Sequence, residues 1–135
     1  MKDLFSVEGK TAVVTGGSRG IGEMIAAGYL SNGAKVYISS RKANACDETA
    51  KRLAEQFGGE CVSIPADMSS VEGIDAFVKE LNERESSLDI LVNNAGVAWG
   101  APLEEFPELG WDKVMNTNVK GCLLYTSDAA DDVVG

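Results

Sequence analysis

The chain has 135 residues, of which 44% are hydrophobic and 24% charged, so it holds at most one ordinary globular domain. Its net charge of −9 argues against a nucleic-acid partner. The sequence has no apolar run long enough for a membrane helix or a signal peptide, so we expect no membrane partner and a cytoplasmic location. With no histidine and three widely separated cysteines, neither a metal site nor a Ser-His-Asp triad is expected.

The first predicted element is a buried strand at Thr11–Val14, which leads through a glycine-rich turn into a helix. The turn has the spacing Gly-x-x-x-Gly-x-Gly, with Gly16, Gly20 and Gly22. Glycine lets a diphosphate approach the backbone, and the free N–H groups at a helix N-terminus attract its charge. The turn therefore predicts a nucleotide site, although such spacing also occurs in tight turns that hold no ligand.

Strands and helices continue to alternate along the chain. The first helix is predicted to bury the stripe Ile21, Met24, Ile25, Gly28 and Tyr29. Later strands are predicted at Val36–Ile38, Cys61–Ile64 and Leu88–Val92. The later helices have apolar stripes at Cys46, Ala50, Leu53 and Phe57, and at Ile74, Phe77, Val78 and Leu81. A capping box at Ser69 and Glu72 is predicted to open the third helix.

This alternation predicts an α/β fold with a parallel sheet covered on both faces. Right-handed crossovers give a local strand order of 3-2-1-4. Ligands bind such sheets beyond the carboxyl ends of the strands, where the strand order reverses. The residues that follow the last three strands there are Ser39–Lys42, Asp67 and Asn93–Gly96. Each of these segments could be an ordinary turn that binds no ligand, because Asn, Asp, Ser and Gly are common in turns. Their shared position at one edge of the sheet favours a ligand site.

The turn Thr15–Gly22, together with Asp67, Asn93–Gly96 and Asn118, resembles the short-chain dehydrogenase/reductase family over about Phe5 to Gly121. The resemblance implies a Rossmann-type doubly wound sheet, truncated here after the fourth βα unit, with a nicotinamide cofactor and hydride transfer to or from a carbonyl or alcohol carbon. Together with the glycine spacing, it indicates a cofactor site made of Gly16, Ser18, Arg19, Gly20, Ile21, Gly22, Ser40, Arg41, Asp67, Met68, Asn94, Ala95 and Gly96.

Two further segments, Ala98–Glu104 and Gly110–Met115, resemble the β-ketoacyl reductases associated with rhamnolipid synthesis. That finer resemblance implies a small-molecule carbonyl or acyl-thioester substrate, with a 3-oxoacyl thioester favoured. Members of the family usually assemble as homo-oligomers, so the same is expected of the parent protein.

The residues after the second strand favour NADP(H) over NAD(H). An NAD site places a carboxylate there to bind the ribose 2′-hydroxyl, but here the positions hold Ser39, Ser40 and Arg41, and Asp47 is the first carboxylate. The guanidinium of Arg41 can bind a 2′-phosphate with two parallel hydrogen bonds, and Arg19 adds a second cation. The alternative is that Arg41 is only a solvated loop residue.

The catalytic residues that the family uses are largely missing. Asn118 matches its supporting asparagine, but the family also needs a Ser, a Tyr and a Lys four residues after the Tyr. The only tyrosine after Asn118 is Tyr125, which is followed at that spacing by Ala129, and no lysine follows Lys120. The sequence therefore predicts that this chain binds a cofactor without performing the chemistry.

The C-terminal segment departs from the family pattern. Residues 1–121 are expected to be the NADP-binding N-terminal half of one Rossmann-type domain, and 122–135 a non-native tail, because Cys122–Asp132 resembles an in-frame translation of a sequencing adapter. A divergent or naturally short C-terminus is the alternative. Three interpretations stay open: the cofactor half of an NADPH-dependent carbonyl reductase, a nucleotide-binding module without catalysis, or an inactive fragment that folds poorly.

Overall fold

The computed structural model describes residues 4–96, 101–105, 107–121 and 123. Within these ranges four parallel strands form one sheet: β1 (Thr11–Thr15), β2 (Lys35–Ser39), β3 (Cys61–Ser63) and β4 (Ile90–Val92). Their order is β3-β2-β1-β4, which confirms the predicted fold class and strand order. Among the described strands, β4 pairs only with β1, so its outer edge carries no neighbour there.

A helix follows each strand along the chain: α1 (Gly20–Ser31), α2 (Ala43–Phe57), α3 (Val71–Arg84) and α4 (Glu108–Met115). A short 3₁₀ turn at Leu103–Glu105 precedes α4, and a π-helical turn at Asn116–Gly121 follows it. No helix in the described part of the chain is both long and apolar enough to cross a membrane. The predicted tail, 122–135, lies outside the described residues except for Leu123.

Alternate residues of a strand face opposite sides of the sheet, so β1 and β2 contribute to two separate cores. On one side, Val14 and Ile38 pack with α1 and α2. On the other side, Val13 and Tyr37 pack against α3. The buried residues of α3 are Ile74, Phe77, Val78 and Leu81, as the sequence predicts. Those of α2 are Cys46, Thr49, Ala50 and Leu53, so its predicted stripe is also buried, apart from the half-buried Phe57.

The predicted orientation of α1 is wrong. Ile21 and Met24 are 70% and 71% exposed, and the residues that face the sheet are Gly22, Ala26 and Leu30. The remaining members of the predicted stripe are the half-buried Ile25 and Tyr29 and the exposed Gly28. Apolar residues occur around most of this helix, so their spacing does not select one face. The small residues decide the orientation, because they let the helix backbone approach β1 closely.

The predicted cap of α3 is wrong by one residue. The N-cap is Ser70, whose hydroxyl oxygen accepts a hydrogen bond from the Gly73 N–H at 3.0 Å. The Ser69 hydroxyl instead donates to Asp67 Oδ1 at 2.6 Å. Because Ser69 is used to close the loop after β3, the capping role falls to Ser70.

At the amino end of the sheet, one carboxylate joins β2 to the end of α3. Glu85 Oε2 accepts hydrogen bonds from Lys35 Nζ at 2.7 Å and from the Tyr37 hydroxyl at 2.6 Å. Burial alone would raise the pKa of Glu85, but these two donors outweigh it and the pKa lies below its usual value. This cluster lies at the opposite end of the strands from the predicted ligand site.

Candidate nucleotide-binding site

A cleft of about 490 Å³ lies at the carboxyl ends of the strands. Its volume is in the range of small-molecule binding sites. Residues from all the loops at this edge line it: Gly16, Ser18, Arg19, Gly20, Ser39, Ser40, Arg41, Lys42, Ala45, Ala66, Asp67, Met68, Asn94, Ala95, Gly96 and Thr117. The topology therefore brings the predicted loops to one place, at the point where the strand order reverses.

The glycine turn forms one wall of the cleft. Gly16 has a positive φ of 65°, in the left-handed region where a Cβ would be strained. A Cβ added to Gly22 would overlap the Gly16 carbonyl oxygen, so α1 can begin this close to β1 only with glycine there. The backbone at the N-terminus of α1 is thereby exposed to the cleft, where its unpaired N–H groups can bind an anion.

Thr15 joins the glycine turn to the loop after β4. Its buried Oγ1 accepts hydrogen bonds from the N–H groups of Asn94 and Ala95, both at 3.0 Å, and donates to the Val92 carbonyl at 3.3 Å. The Asn94 side-chain amide donates in turn to the Gly16 carbonyl at 3.2 Å. Two loops separated by almost 80 residues are thus held as one rigid unit.

The helix α2 also contacts the turn. The Thr49 hydroxyl donates to the Ser18 carbonyl at 2.7 Å, and Thr49 is only 5% exposed. Gly17 contributes a further link, since its N–H donates to the Ser39 carbonyl at 3.2 Å. The turn is therefore fixed from three sides, by β2, by α2 and by the loop after β4.

The loop after β2 gives the cleft a positive charge, although the chain as a whole is acidic. Arg41 and Lys42 line the cleft together with Arg19 from the glycine turn, and Asp67 is the one carboxylate among the lining residues. The Ser40 hydroxyl is buried and has no hydrogen-bond partner among the described residues, so it is free to bind a ligand. This wall suits a phosphate group.

Asp67 is held in its charged form. The Ser69 hydroxyl lowers the pKa of Asp67 below its usual value, against the effect of burial, and the nearby Arg41 lowers it further. The Ser69 N–H also donates to Asp67 Oδ1 at 2.9 Å. An ionised, partly satisfied carboxylate can accept a hydrogen bond from a ligand amino group.

Asn118 lies in the π-helical turn that follows α4. Its Oδ1 would be 3.3 Å from a Cβ added to Gly96, so the asparagine adjoins the loop after β4. Thr117, its neighbour, lines the cleft itself. The π-helical turn thus borders the site beside the loop after β4.

The structure brings nearly all the predicted site residues together. Eleven of the thirteen predicted cofactor residues line the cleft, and the two that do not are Ile21 and Gly22. Ile21 is exposed on the first turn of α1, and Gly22 is buried beneath the turn.

Sequence reasoning missed Thr49 and did not assign the role of Thr15. A signal was present: Thr15 ends an otherwise apolar strand, and Thr49 lies at helical spacing from Cys46 and Leu53 on the buried face of α2. Buried hydroxyls need a partner. The identity of that partner could not be predicted, because Ser18 lies 31 residues from Thr49 along the chain.

The family model for short chain dehydrogenases matches residues 10–134. The rhamnolipids biosynthesis 3-oxoacyl-[acyl-carrier-protein] reductase of Pseudomonas aeruginosa is 54% identical over 119 residues, which are 88% of this chain and 46% of that protein. Among solved structures, the Pseudomonas aeruginosa RhlG/NADP active-site complex is similar with a TM-score of 0.86 and 48% identity, over 99% of this chain and 50% of that one.

L-Sorbose reductase from Gluconobacter frateurii, complexed with NADPH and L-sorbose, is similar with a TM-score of 0.86 and 32% identity, over 96% of this chain and 48% of that one. The chain therefore spans about half the length of the relatives that it matches.

Proposed function

The chain belongs to the short-chain dehydrogenase family, and on this premise we propose that its cleft binds NADP(H) as the cofactor site of a carbonyl reductase. The observation that carries the proposal is the composition of the cleft. Three cationic side chains, Arg19, Arg41 and Lys42, line it together with the unpartnered Ser40 hydroxyl, in a chain whose net charge is −9. A 2′-phosphate supplies the charge and the acceptors that this wall lacks.

Bound NADP(H) would lie along the carboxyl edge of the sheet. The backbone of Ser18–Gly20 at the N-terminus of α1 would hold its diphosphate, and Arg41 and the loop of Asp67 and Met68 would hold its adenosine. Asn94–Gly96, near Asn118, would then hold its nicotinamide end. This orientation is supported by the strand order β3-β2-β1-β4, which puts the loop of Asp67 and the loop of Asn94 on opposite sides of the glycine turn.

The reaction we propose is reduction of a carbonyl in a small molecule, with a 3-oxoacyl thioester as the substrate class. When bound, NADPH supplies the hydride. The substrate class is supported by the 54% identity to a relative named as a 3-oxoacyl-[acyl-carrier-protein] reductase. Assembly with a second copy through α4, whose Leu109 and Trp111 are exposed, belongs to the same proposal.

A second candidate is a nucleotide-binding module without catalysis. It is favoured by one observation: the cleft for a nucleotide is complete within the loops that the described residues form, without a catalytic tyrosine. Both candidates need the same cofactor site, so cofactor binding is tested first.

The test compares the affinities of the chain for NADPH and NADH by fluorescence titration. Replacing Arg41→Asp is expected to weaken NADPH binding about 10- to 100-fold relative to NADH, because a charge-assisted contact of roughly 1.5–3 kcal/mol is lost. The matched control is Lys51→Glu, which makes the same change in net charge on an exposed part of α2 away from the cleft.

Two results would count against the proposal. If Arg41→Asp weakens both cofactors equally, the 2′-phosphate is bound elsewhere. If Gly16→Val leaves NADPH binding unchanged, the turn does not hold the diphosphate, because a side chain at this position would meet the Asn94 amide and the Ala95 backbone at 3.0–3.2 Å.

A further inference from the structure

Thr49 lies outside the loops that bind the ligand, yet it makes a buried contact with one of them. It projects from the second turn of α2, and its Oγ1 donates to the Ser18 carbonyl at 2.7 Å. We propose that Thr49 is a positioning residue that orients the diphosphate-binding turn. This inference rests on the proposed NADP(H) site.

The orientation follows from peptide geometry. The peptide bond between Ser18 and Arg19 is trans, so its C=O and N–H groups point in opposite directions. Thr49 fixes the carbonyl toward α2, and the Arg19 N–H is therefore turned away from α2. Arg19 is the N-cap of α1, and in the described part of the chain its N–H donates to no other residue. The hydroxyl of Thr49 thus keeps one backbone donor available for an anion.

No other buried side chain in the described ranges holds this peptide. Gly16 is fixed by Asn94 and Gly17 by Ser39, but the hydrogen bond to the Ser18 carbonyl comes from Thr49. The ion pair between Arg52 and Glu23 also joins α2 to α1, but Arg52 is 57% exposed. Exposed pairs contribute little to a defined geometry.

The experiment uses three variants of the whole chain. Thr49→Val keeps the shape of the side chain and removes the hydroxyl, whereas Thr49→Ser keeps the hydroxyl. The matched control is Thr11→Val, at the amino end of β1, since the Thr11 hydroxyl makes no hydrogen bond within the described residues. Circular dichroism establishes that each variant is folded.

Two ligands separate orientation of the turn from general stability. NADPH contacts the turn through its diphosphate, whereas 2′-AMP has a 2′-phosphate and no diphosphate. Thr49→Val is expected to weaken NADPH about three- to tenfold, the effect of one lost hydrogen bond, and to leave 2′-AMP within twofold. Thr49→Ser is expected to restore NADPH binding, and Thr11→Val to bind both ligands as the wild type does.

The outcomes distinguish the two proposals. A wild-type chain that binds neither ligand overturns the proposed function, and this inference with it. NADPH binding that is unchanged in Thr49→Val overturns the role of Thr49 alone. Equal loss of both ligands in Thr49→Val also overturns it, because the residue would then only support the fold.

Discussion

The carboxylate of Glu85 links β2 to the end of α3, at the opposite end of the strands from the cleft. It is largely buried, with 16% of its side chain exposed, and it accepts hydrogen bonds from both Lys35 and Tyr37. The same contact raises the pKa of Lys35, while burial, followed by the hydrogen bond to Glu85, raises the pKa of Tyr37. At neutral pH, Glu85 and Lys35 therefore stay charged and Tyr37 stays protonated, as these hydrogen bonds require.

Replacing Glu85→Gln is expected to lower the free energy of unfolding by about 1–2 kcal/mol at pH 7, because charged hydrogen bonds are lost and Lys35 is left partly unpaired. The folded-state pKa of Glu85 is lowered, so its contribution is fully present above the usual carboxyl pKa of about 4.3 and is lost as the pH falls through the folded-state pKa. Urea unfolding at several pH values measures this difference.

The control for this experiment is Glu60→Gln. Glu60 also lies near Lys35, at 3.4 Å, but its side chain is 73% exposed, so its removal is expected to have little effect. If the wild type and Glu85→Gln differ by the same amount at pH 7 and at pH 3, the carboxylate does not act through its charge.

Among individual residues, the groups that line the cleft were easier to predict than the groups that support them. Gly16 and Arg41 were expected there because each has a property that suits a phosphate and that few other residues provide. Thr49 and Glu85 could not, because each acts through a partner 31 or 48 residues away. Such pairs form only when the chain is folded, and spacing along the sequence does not encode them.

At the scale of elements, the orientation of α1 illustrates what periodicity leaves undetermined. Apolar residues on most sides of the helix gave no unique face, and the small residues Gly22 and Ala26 decided which side meets the sheet. The amphipathic helices α2 and α3 were predicted correctly, because their charged residues exclude the other faces. The N-cap of α3 was predicted one residue too early, because the Ser69 hydroxyl bonds to Asp67 in the preceding loop and Ser70 caps the helix instead.

Two helical glycines are expected to respond to alanine with opposite signs. At Gly28 of α1, a Cβ would meet no atom within 4 Å, so Gly28→Ala is expected to stabilise the chain by about 0.5–1 kcal/mol through a lower backbone entropy when unfolded. At Gly121, a Cβ would overlap the Met68 carbonyl oxygen, so Gly121→Ala is expected to destabilise it by about 1–3 kcal/mol.

Thermal unfolding of the two variants beside the wild type measures both effects. Each serves as the control for the other, because the chemical change is identical and only the surroundings differ. A Gly121→Ala variant as stable as Gly28→Ala would mean that the π-helical turn does not pack against the loop after β3.

At the scale of the whole molecule, the strand order followed from connection rules, whereas the lengths of strands did not. Right-handed crossovers allow few arrangements for alternating strands and helices, and β3-β2-β1-β4 is one of them. The strands β3 and β4 are shorter than predicted, at three residues each. Their ends depend on pairing with neighbouring strands, which apolar runs alone do not determine.

The 135-residue chain is expected to bind NADPH without reducing a ketone. Eleven of the thirteen predicted cofactor residues line the cleft, and Asn118 adjoins it, but these 135 residues contain no Tyr-x-x-x-Lys pattern after Asn118. The measurement is NADPH oxidation at 340 nm with a 3-oxoacyl thioester, alongside NADPH binding as a positive control. Oxidation that requires the thioester and scales with the amount of chain would contradict this expectation.

The hydroxyl of Thr15 has a thermodynamic consequence beyond geometry. Its hydrogen bonds join the loop that lines the cleft to the Val92 carbonyl at the end of β4, so we expect the loop and the strand end to open and close together. Any ligand that prefers the closed loop therefore also protects the strand, and a ligand present at 100 times its dissociation constant adds about 2.7 kcal/mol to the folded state. By the same reciprocity, a protein surface that pairs with the outer edge of β4, which has no neighbour among the described strands, is expected to raise the affinity of the cleft for such a ligand.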